Sequence, residues 1–286
     1  MRKSQVTALC LVSALALTAC AQQNAEADVE RALATVNALD ENNLSSIMLQ
    51  SADPNEAVAY FKRSLAQEPD RVDFKRGLGQ SLIRAGSARE AAGVFAGLAA
   101  SPQGTDEDKV NLADALIRAG DWEKAEATLD TIPPTYETFK RYRLEAMVAD
   151  SNGEWDNADS FYETAMGLTT QPSGVLNNWG YSKLSRGDYK DAERLFGEAL
   201  VHSPDLFTAK NNLVLARGAQ GTYELPVIDM DQVERARLLH TMALSAIKQG
   251  DVIIGKGLLR DAIETHPQHF EAAARSLEAL EANVQN

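Results

Sequence analysis

The sequence predicts an all-α fold, a repeating array of antiparallel helix pairs. Three observations lead there. Glycines recur at Gly86, Gly120, Gly153, Gly187 and Gly221, spaced 34, 33, 34 and 34 residues apart. Alanines keep the same register at Ala57, Ala91, Ala125, Ala158 and Ala192, and four residues beyond each stands a large apolar residue: Phe61, Phe95, Leu129, Tyr162 and Phe196. The chain is 44% hydrophobic but only 6% aromatic, so much of the core must be alanine, which suits close-packed helices. A fixed period of this length marks an architecture in which no unit buries its apolar face alone.

Each period divides into two helices. The first carries a Leu or Trp followed by Gly or Ala, as in Leu78-Gly79, Leu112-Ala113 and Trp179-Gly180. It stops at the recurrent glycine, which can take the left-handed conformation that closes a helix. A polar residue and often an aromatic come next, as in Gly120-Asp121-Trp122, Gly153-Glu154-Trp155 and Gly187-Asp188-Tyr189, and the second helix begins. It ends near a proline: Pro69, Pro102, Pro133, Pro172, Pro204 or Pro267. Small residues allow two helices to cross closely, and the large residue four positions beyond each alanine shares its helix face and can fill the groove they leave. Trp122 and Trp155 are expected to pack in the core, because large rings dominate core energetics.

The array is interrupted once. The unit beginning at Phe207 has a first helix, but the segment Thr222 to Asp231, containing Pro226, replaces its second, so an irregular insertion is expected near 222–232. A last pair follows over 233–249 and 252–265, with Gly255 in the alanine position. Residues 270–283 read as a helix that caps the stack.

The amino-terminal region has a different character. Arg2 and Lys3 precede an apolar run from Val6 to Leu17, too short for a comfortable membrane span. Leu17-Thr18-Ala19-Cys20 resembles the lipobox of bacterial lipoproteins. That resemblance implies a signal peptide over 1–19, a lipid on Cys20, a tether over 20–27 and a repeat domain over 28–286. Ala21 rather than Asp follows the cysteine, which implies lipid anchoring at the periplasmic face of the outer membrane. The tether can reach about 25 Å at most. Cys10 and Cys20 are the only cysteines, so the repeat domain has no disulfide and no thiol nucleophile.

The repeat pattern resembles the tetratricopeptide repeat. The unit LNNWGYSKLSRGDYKDAERLFGEALVHSP is the best match, with Gly180, Gly187, Ala192, Phe196, Ala199 and Pro204 at family positions. The resemblance covers residues 38–283 and implies a right-handed superhelix, an α-solenoid, whose first helices line a concave groove. Carried onto this chain, the groove comprises Asp73, Arg76, Gln80, Arg84, Asp114, Arg118, Lys140, Arg143, Asn177, Tyr181, Thr208, Asn211 and Leu215. Several of these are basic, so a partly basic amino-terminal half is expected, suited to an acidic peptide or a terminal carboxylate.

Lipid anchor and repeats together resemble the TadD-like lipoproteins of the tight-adherence (Flp) pilus assembly system. That resemblance implies a pilotin-like scaffold with a secretin or pilus assembly component as protein partner. Other envelope adaptors, serving outer-membrane protein insertion or peptidoglycan machinery, share the scaffold, and an accessory to an envelope hydrolase is a more distant reading. No nucleophile elbow, phosphate-binding loop or zinc-protease motif is present, so no enzyme activity, cofactor, metal or small-molecule substrate is expected. His266 and His269 lie close in sequence, but His202 and His240 give no third ligand nearby, and a polar turn is the expected reading. A net charge of −13 disfavours a nucleic-acid partner.

Overall fold

The computed structural model describes residues 44–284. The segments expected to form a signal peptide and a tether, with the expected lipid site Cys20, lie outside the described residues. Fourteen helices follow one another, and no strand occurs among the described residues: α1 (44–50), α2 (Pro54–Gln67), α3 (Val72–Arg84), α4 (Ala88–Ala99), α5 (Asp106–Ala119), α6 (Trp122–Leu129), α7 (Phe139–Asn152), α8 (Trp155–Gly167), α9 (Ser173–Ser185), α10 (Tyr189–His202), α11 (Phe207–Ala219), α12 (Gln232–Gln249), α13 (Val252–Thr265) and α14 (Glu271–Val284). They form two compact units that divide between Ala119 and Gly120. No described helix is long and apolar enough to cross a membrane.

The first unit holds α1 to α5. Asp53 starts α2 by accepting the backbone N–H groups of Asn55 and Glu56 at 2.8 and 3.3 Å, with Pro54 at the first helical position. Small residues then receive rings. A Cβ added at Gly77 of α3 would overlap the Phe61 ring of α2, and one at Gly79 would stand 2.6 Å from the Phe95 ring of α4. Two glycines on one helix therefore admit the aromatics of both flanking second helices. Phe61, Phe74, Leu82 and Ala91 are all at most 2% exposed in the core so formed.

The second unit holds α6 to α14 and repeats the device. Gly180 of α9 admits Phe196 of α10, whose ring a Cβ would approach to 2.7 Å. Leu176, Ala192, Leu195, Phe196 and Ala199 close this core at 1% exposure or less. Across both units the positive-φ residues are Gly86, Gly120, Gly153, Gly187, Gly221 and Gly250, with φ between 74° and 94°. The first five are the periodic glycines of the sequence, so the register read in one dimension is the register in space; Gly250 closes α12 in the same way.

The interruption has a specific structure. α11 and α12 run parallel. Lys210 Nζ meets Glu234 Oε2 at 2.8 Å, Thr241 Oγ1 donates to Asn211 Oδ1 at 2.8 Å, and Gln249 Nε2 donates to the Ala219 carbonyl at 3.4 Å, so the two helices advance together. The return is made by residues 220–231, which contain no helix. Val214 departs from the small residues of the earlier units at this point. It stands seven residues before Gly221, where the earlier units have Gly79, Ala113, Ala146 and Gly180 before theirs. It is fully buried in a cluster with Leu238 and Met242 of α12. Tyr223, Leu225, Ile228 and Met230 of the return segment pack on the neighbouring cores instead. Asp231 and Glu234 then form a reciprocal capping box that starts α12.

Candidate partner-binding cavity

The groove-face residues of the first unit are largely engaged with their own fold. Asp73 accepts both Nε and Nη2 of Arg71, at 2.8 and 2.7 Å. Arg76 makes a bidentate pair with Asp108, 2.8 Å on each arm, and donates to the Gln103 carbonyl at 3.2 Å. The Asp108 side chain is 0% exposed. Burial would raise its carboxyl, but the bonds from Arg76 and from the backbone and hydroxyl of Thr105 hold it below the usual carboxylate range. Arg84 donates to the Met48, Leu49 and Ala52 carbonyls at 2.7–3.0 Å, closing the carboxyl end of α1. Asp114 is 5% exposed and accepts from Arg118 Nε at 2.7 Å. Gln80 is half-buried on α3. The basic character expected of this stretch is thus taken up by internal ion pairs and a helix cap.

The second unit contains a cavity of about 490 Å³. It is lined by Trp122 of α6, Met147, Asp150 and Ser151 of α7, and Tyr162 of α8. Asn177, Asn178, Tyr181, Ser182 and Ser185 of α9 and Thr208 and Asn212 of α11 complete it. Of the groove residues read from the sequence, Asn177, Tyr181 and Thr208 come together here. Lys140 and Arg143 lie half-buried on α7 outside the lining, Asn211 turns to Thr241 of α12, and Leu215 is half-buried on α11.

Polar ties between successive first helices form the cavity floor. Ser182 Oγ donates to Asp150 Oδ1 at 2.6 Å, joining α9 to α7, and Tyr162 Oη donates to Asp150 Oδ2 at 2.8 Å. Asn212 Nδ2 donates to Asn177 Oδ1 at 3.1 Å, joining α11 to α9. Burial pushes the Asp150 carboxyl above its ordinary range despite the two hydroxyl bonds, and burial together with Asp150 pushes the Tyr162 phenol up. Behind the floor, Asp159 accepts from Trp179 Nε1 at 2.6 Å, from Lys183 Nζ at 2.9 Å and from Arg186. Burial would raise this carboxyl too, but the three donors hold it down.

The walls are apolar and partly open. Tyr181 is 58% exposed and Trp122 36% exposed. The expectation that Trp122 and Trp155 pack in the core is therefore corrected. Trp122 borders the cavity, while Trp155 is 39% exposed with the Arg186 guanidinium 5.5 Å from its ring. Both follow a turn glycine at the start of a second helix, where a ring packs on one face only.

Asp150 was not among the residues expected at a site, and Tyr162 was expected only as a packing residue of the repeat register. The signal lies in the register. Asp150 stands three residues before Gly153, where three other units have Ile83, Ile117 and Leu184 before their glycines. Tyr162 brings a hydroxyl to a position held by Phe61, Phe95 and Phe196 elsewhere. A carboxylate and a phenol at two apolar positions of the same unit mark a local polar design.

The cavity has no catalytic constellation, and no group of three or more His, Cys, Asp and Glu among the described residues is placed to hold a metal. His266 Nδ1 faces the Gln268 carbonyl at 2.9 Å, while His269 Nε2 faces Glu271 at 2.9 Å.

Comparison with known proteins agrees with the architecture. Two tetratricopeptide-repeat models match, at residues 47–105 and 146–176. No curated protein matches the chain by sequence. Among solved structures, a chain of the APC/C hetero-tetramer Cut9–Hcn1 is similar at 15% identity and TM-score 0.60, over 82% of this chain and 48% of that one. The present chain thus spans about half the length of that relative. A tetratricopeptide-repeat protein from Parabacteroides merdae is similar at 14% identity and TM-score 0.56, over 84% and 96% of the two chains. A thermophilic repeat protein from Thermus thermophilus is similar at 18% identity and TM-score 0.53, over 61% and 95%. At these identities the likeness concerns the fold. The chain thus carries tetratricopeptide repeats over the matched residues and shares the fold of tetratricopeptide-repeat proteins.

Proposed function

We propose that this protein is a lipid-tethered scaffold that holds a segment of a partner protein in the cavity of the second unit and assists assembly of a tight-adherence (Flp) pilus or a related secretion machine. The observation that carries the binding role is the cavity itself. Exposed rings of Trp122 and Tyr181 stand beside the carboxamides of Asn177 and Asn178. Apolar walls with a few fixed hydrogen-bonding groups suit a side chain together with its main chain. Asn177 already accepts from Asn212 through Oδ1, which orients its N–H groups as donors.

The membrane assignment rests on the lipobox, Leu17 to Cys20, and on the positive and apolar segments before it. A multiply acylated cysteine would hold the protein at the membrane, and the short tether would keep the repeats within about 25 Å of it. The pilotin-like role is supported by the combination of this anchor with the repeat array.

Two experiments test the reading. Cys20→Ser should abolish incorporation of radioactive palmitate; retained label would overturn the anchor. Affinity capture from detergent-solubilised envelopes should retain a secretin or pilus assembly component, and a deletion strain should assemble fewer secretin multimers. Normal assembly with nothing of that kind captured would sink the pilotin-like role.

A further inference from the structure

We propose that the cavity of the second unit receives a lysine or arginine side chain of the partner segment, with its alkyl stem between Trp122 and Tyr181 and its charged end at Asp150. The proposal rests on reading this cavity as the partner-binding site, and it gives that partner a basic character, opposite to the acidic peptide expected from the sequence.

The lining includes no Lys, Arg or His, and its one carboxylate is Asp150. Each Asp150 oxygen accepts a single hydroxyl, from Ser182 or Tyr162. A carboxylate has about four lone-pair sites, so both oxygens retain acceptor capacity. The two hydroxyls fix its direction without neutralising it. The rings of Trp122 and Tyr181 supply faces that attract a cation, and Met147 supplies a soft apolar contact for the methylenes. A net charge of −13 favours a basic segment at long range as well.

The surroundings fix the pH dependence. Tyr162 and Asp159 of α8, Ser182 of α9, Arg186 at its carboxyl end and Arg143 of α7 are the polar and charged groups about the floor; Arg186 is held by Asp159. The carboxyl of Asp150 is pushed up by burial. A ligand cation favours the ionised form, so binding releases a proton when the free site is protonated. Affinity should therefore fall as pH is lowered through the Asp150 titration.

The test uses the full chain and three labelled heptapeptides identical except at the centre, which carries lysine, norleucine or glutamate. Norleucine keeps the methylenes and removes the charge. Binding is followed through the Trp122 indole N–H signal and by fluorescence anisotropy. The lysine peptide should shift that signal and bind about tenfold more tightly than either other peptide, as a partly desolvated cation at a carboxylate and two rings allows. Asp150→Asn should remove the preference and flatten its pH dependence. Tyr181→Ala, at an exposed position with little bearing on folding, should weaken the lysine peptide several-fold. Equal binding of the three peptides, tightest binding of the glutamate peptide, or a lysine preference that survives Asp150→Asn would overturn the cation proposal and leave the binding cavity standing. If no peptide moves the Trp122 signal, the binding-site reading itself fails, and the proposal with it.

Discussion

Two aspartates, Asp108 buried and Asp150 half-buried, show opposite uses of the same side chain. Asp108 has a bidentate arginine and a folded-state pKa below the usual range. It contributes stability that is present above the unfolded pKa and lost as pH falls through the folded one. Asp150 has only hydroxyl partners and a raised pKa, so its ionised form costs stability, and that cost is relieved as pH falls through the raised value. Arg76→Ala should destabilise the protein by about 3–5 kcal/mol at neutral pH, because it leaves a buried charge without its partner. Urea unfolding over a pH series should show this loss shrinking under acid conditions as Asp108 protonates. In the same series the stability of the wild type relative to Asp150→Asn should improve as pH is lowered; a difference independent of pH would mean that folding leaves the Asp150 pKa unchanged. Asn177, Tyr181 and Thr208 were legible because the first-helix face can be carried along a repeat. Asp150 was not, since a lone acidic residue in an acidic protein reads as surface, and only comparison with Ile83, Ile117 and Leu184 exposes it.

At the level of elements, stability depends on ring-into-glycine contacts. Gly180→Ala places a methyl 2.7 Å from the Phe196 ring, which is 0% exposed and has nowhere to retreat. The expected cost is about 1–3 kcal/mol by thermal or denaturant unfolding. An unchanged midpoint would show that α9 and α10 can separate freely, contrary to their close crossing. Helices, turns and these contacts were readable because glycine, alanine and aromatic recur at one interval. The return segment was readable only as an interruption. Tyr223, Leu225, Ile228 and Met230 follow no helical spacing, so their packing follows from where α10, α12 and α13 lie and not from any local pattern.

At the scale of the molecule, charge governs association. A protein of net charge −13 that takes a basic segment should bind it less well as salt rises, because exposed charges are screened within about 8–10 Å near physiological ionic strength. Anisotropy titrations of the lysine peptide at increasing sodium chloride should show a steady loss of affinity, steeper than for the norleucine peptide. Parallel salt curves would place the peptide away from Asp150.

The parallel pairing of α11 and α12 has a further consequence, for folding. In a linear array each repeat is stabilised chiefly by its neighbours, so cooperativity passes along the chain through the helix–helix interfaces. Where a second helix is replaced by an extended strap, one set of those interfaces is missing and the coupling weakens. The helices from α12 onward should behave as a distinct foldon. Native-state hydrogen exchange should find the amides of α12 and α13 opening together, at a lower free energy than those of α9 and α10. A single opening energy across 173–265 would show that the strap couples as firmly as the helix it replaces.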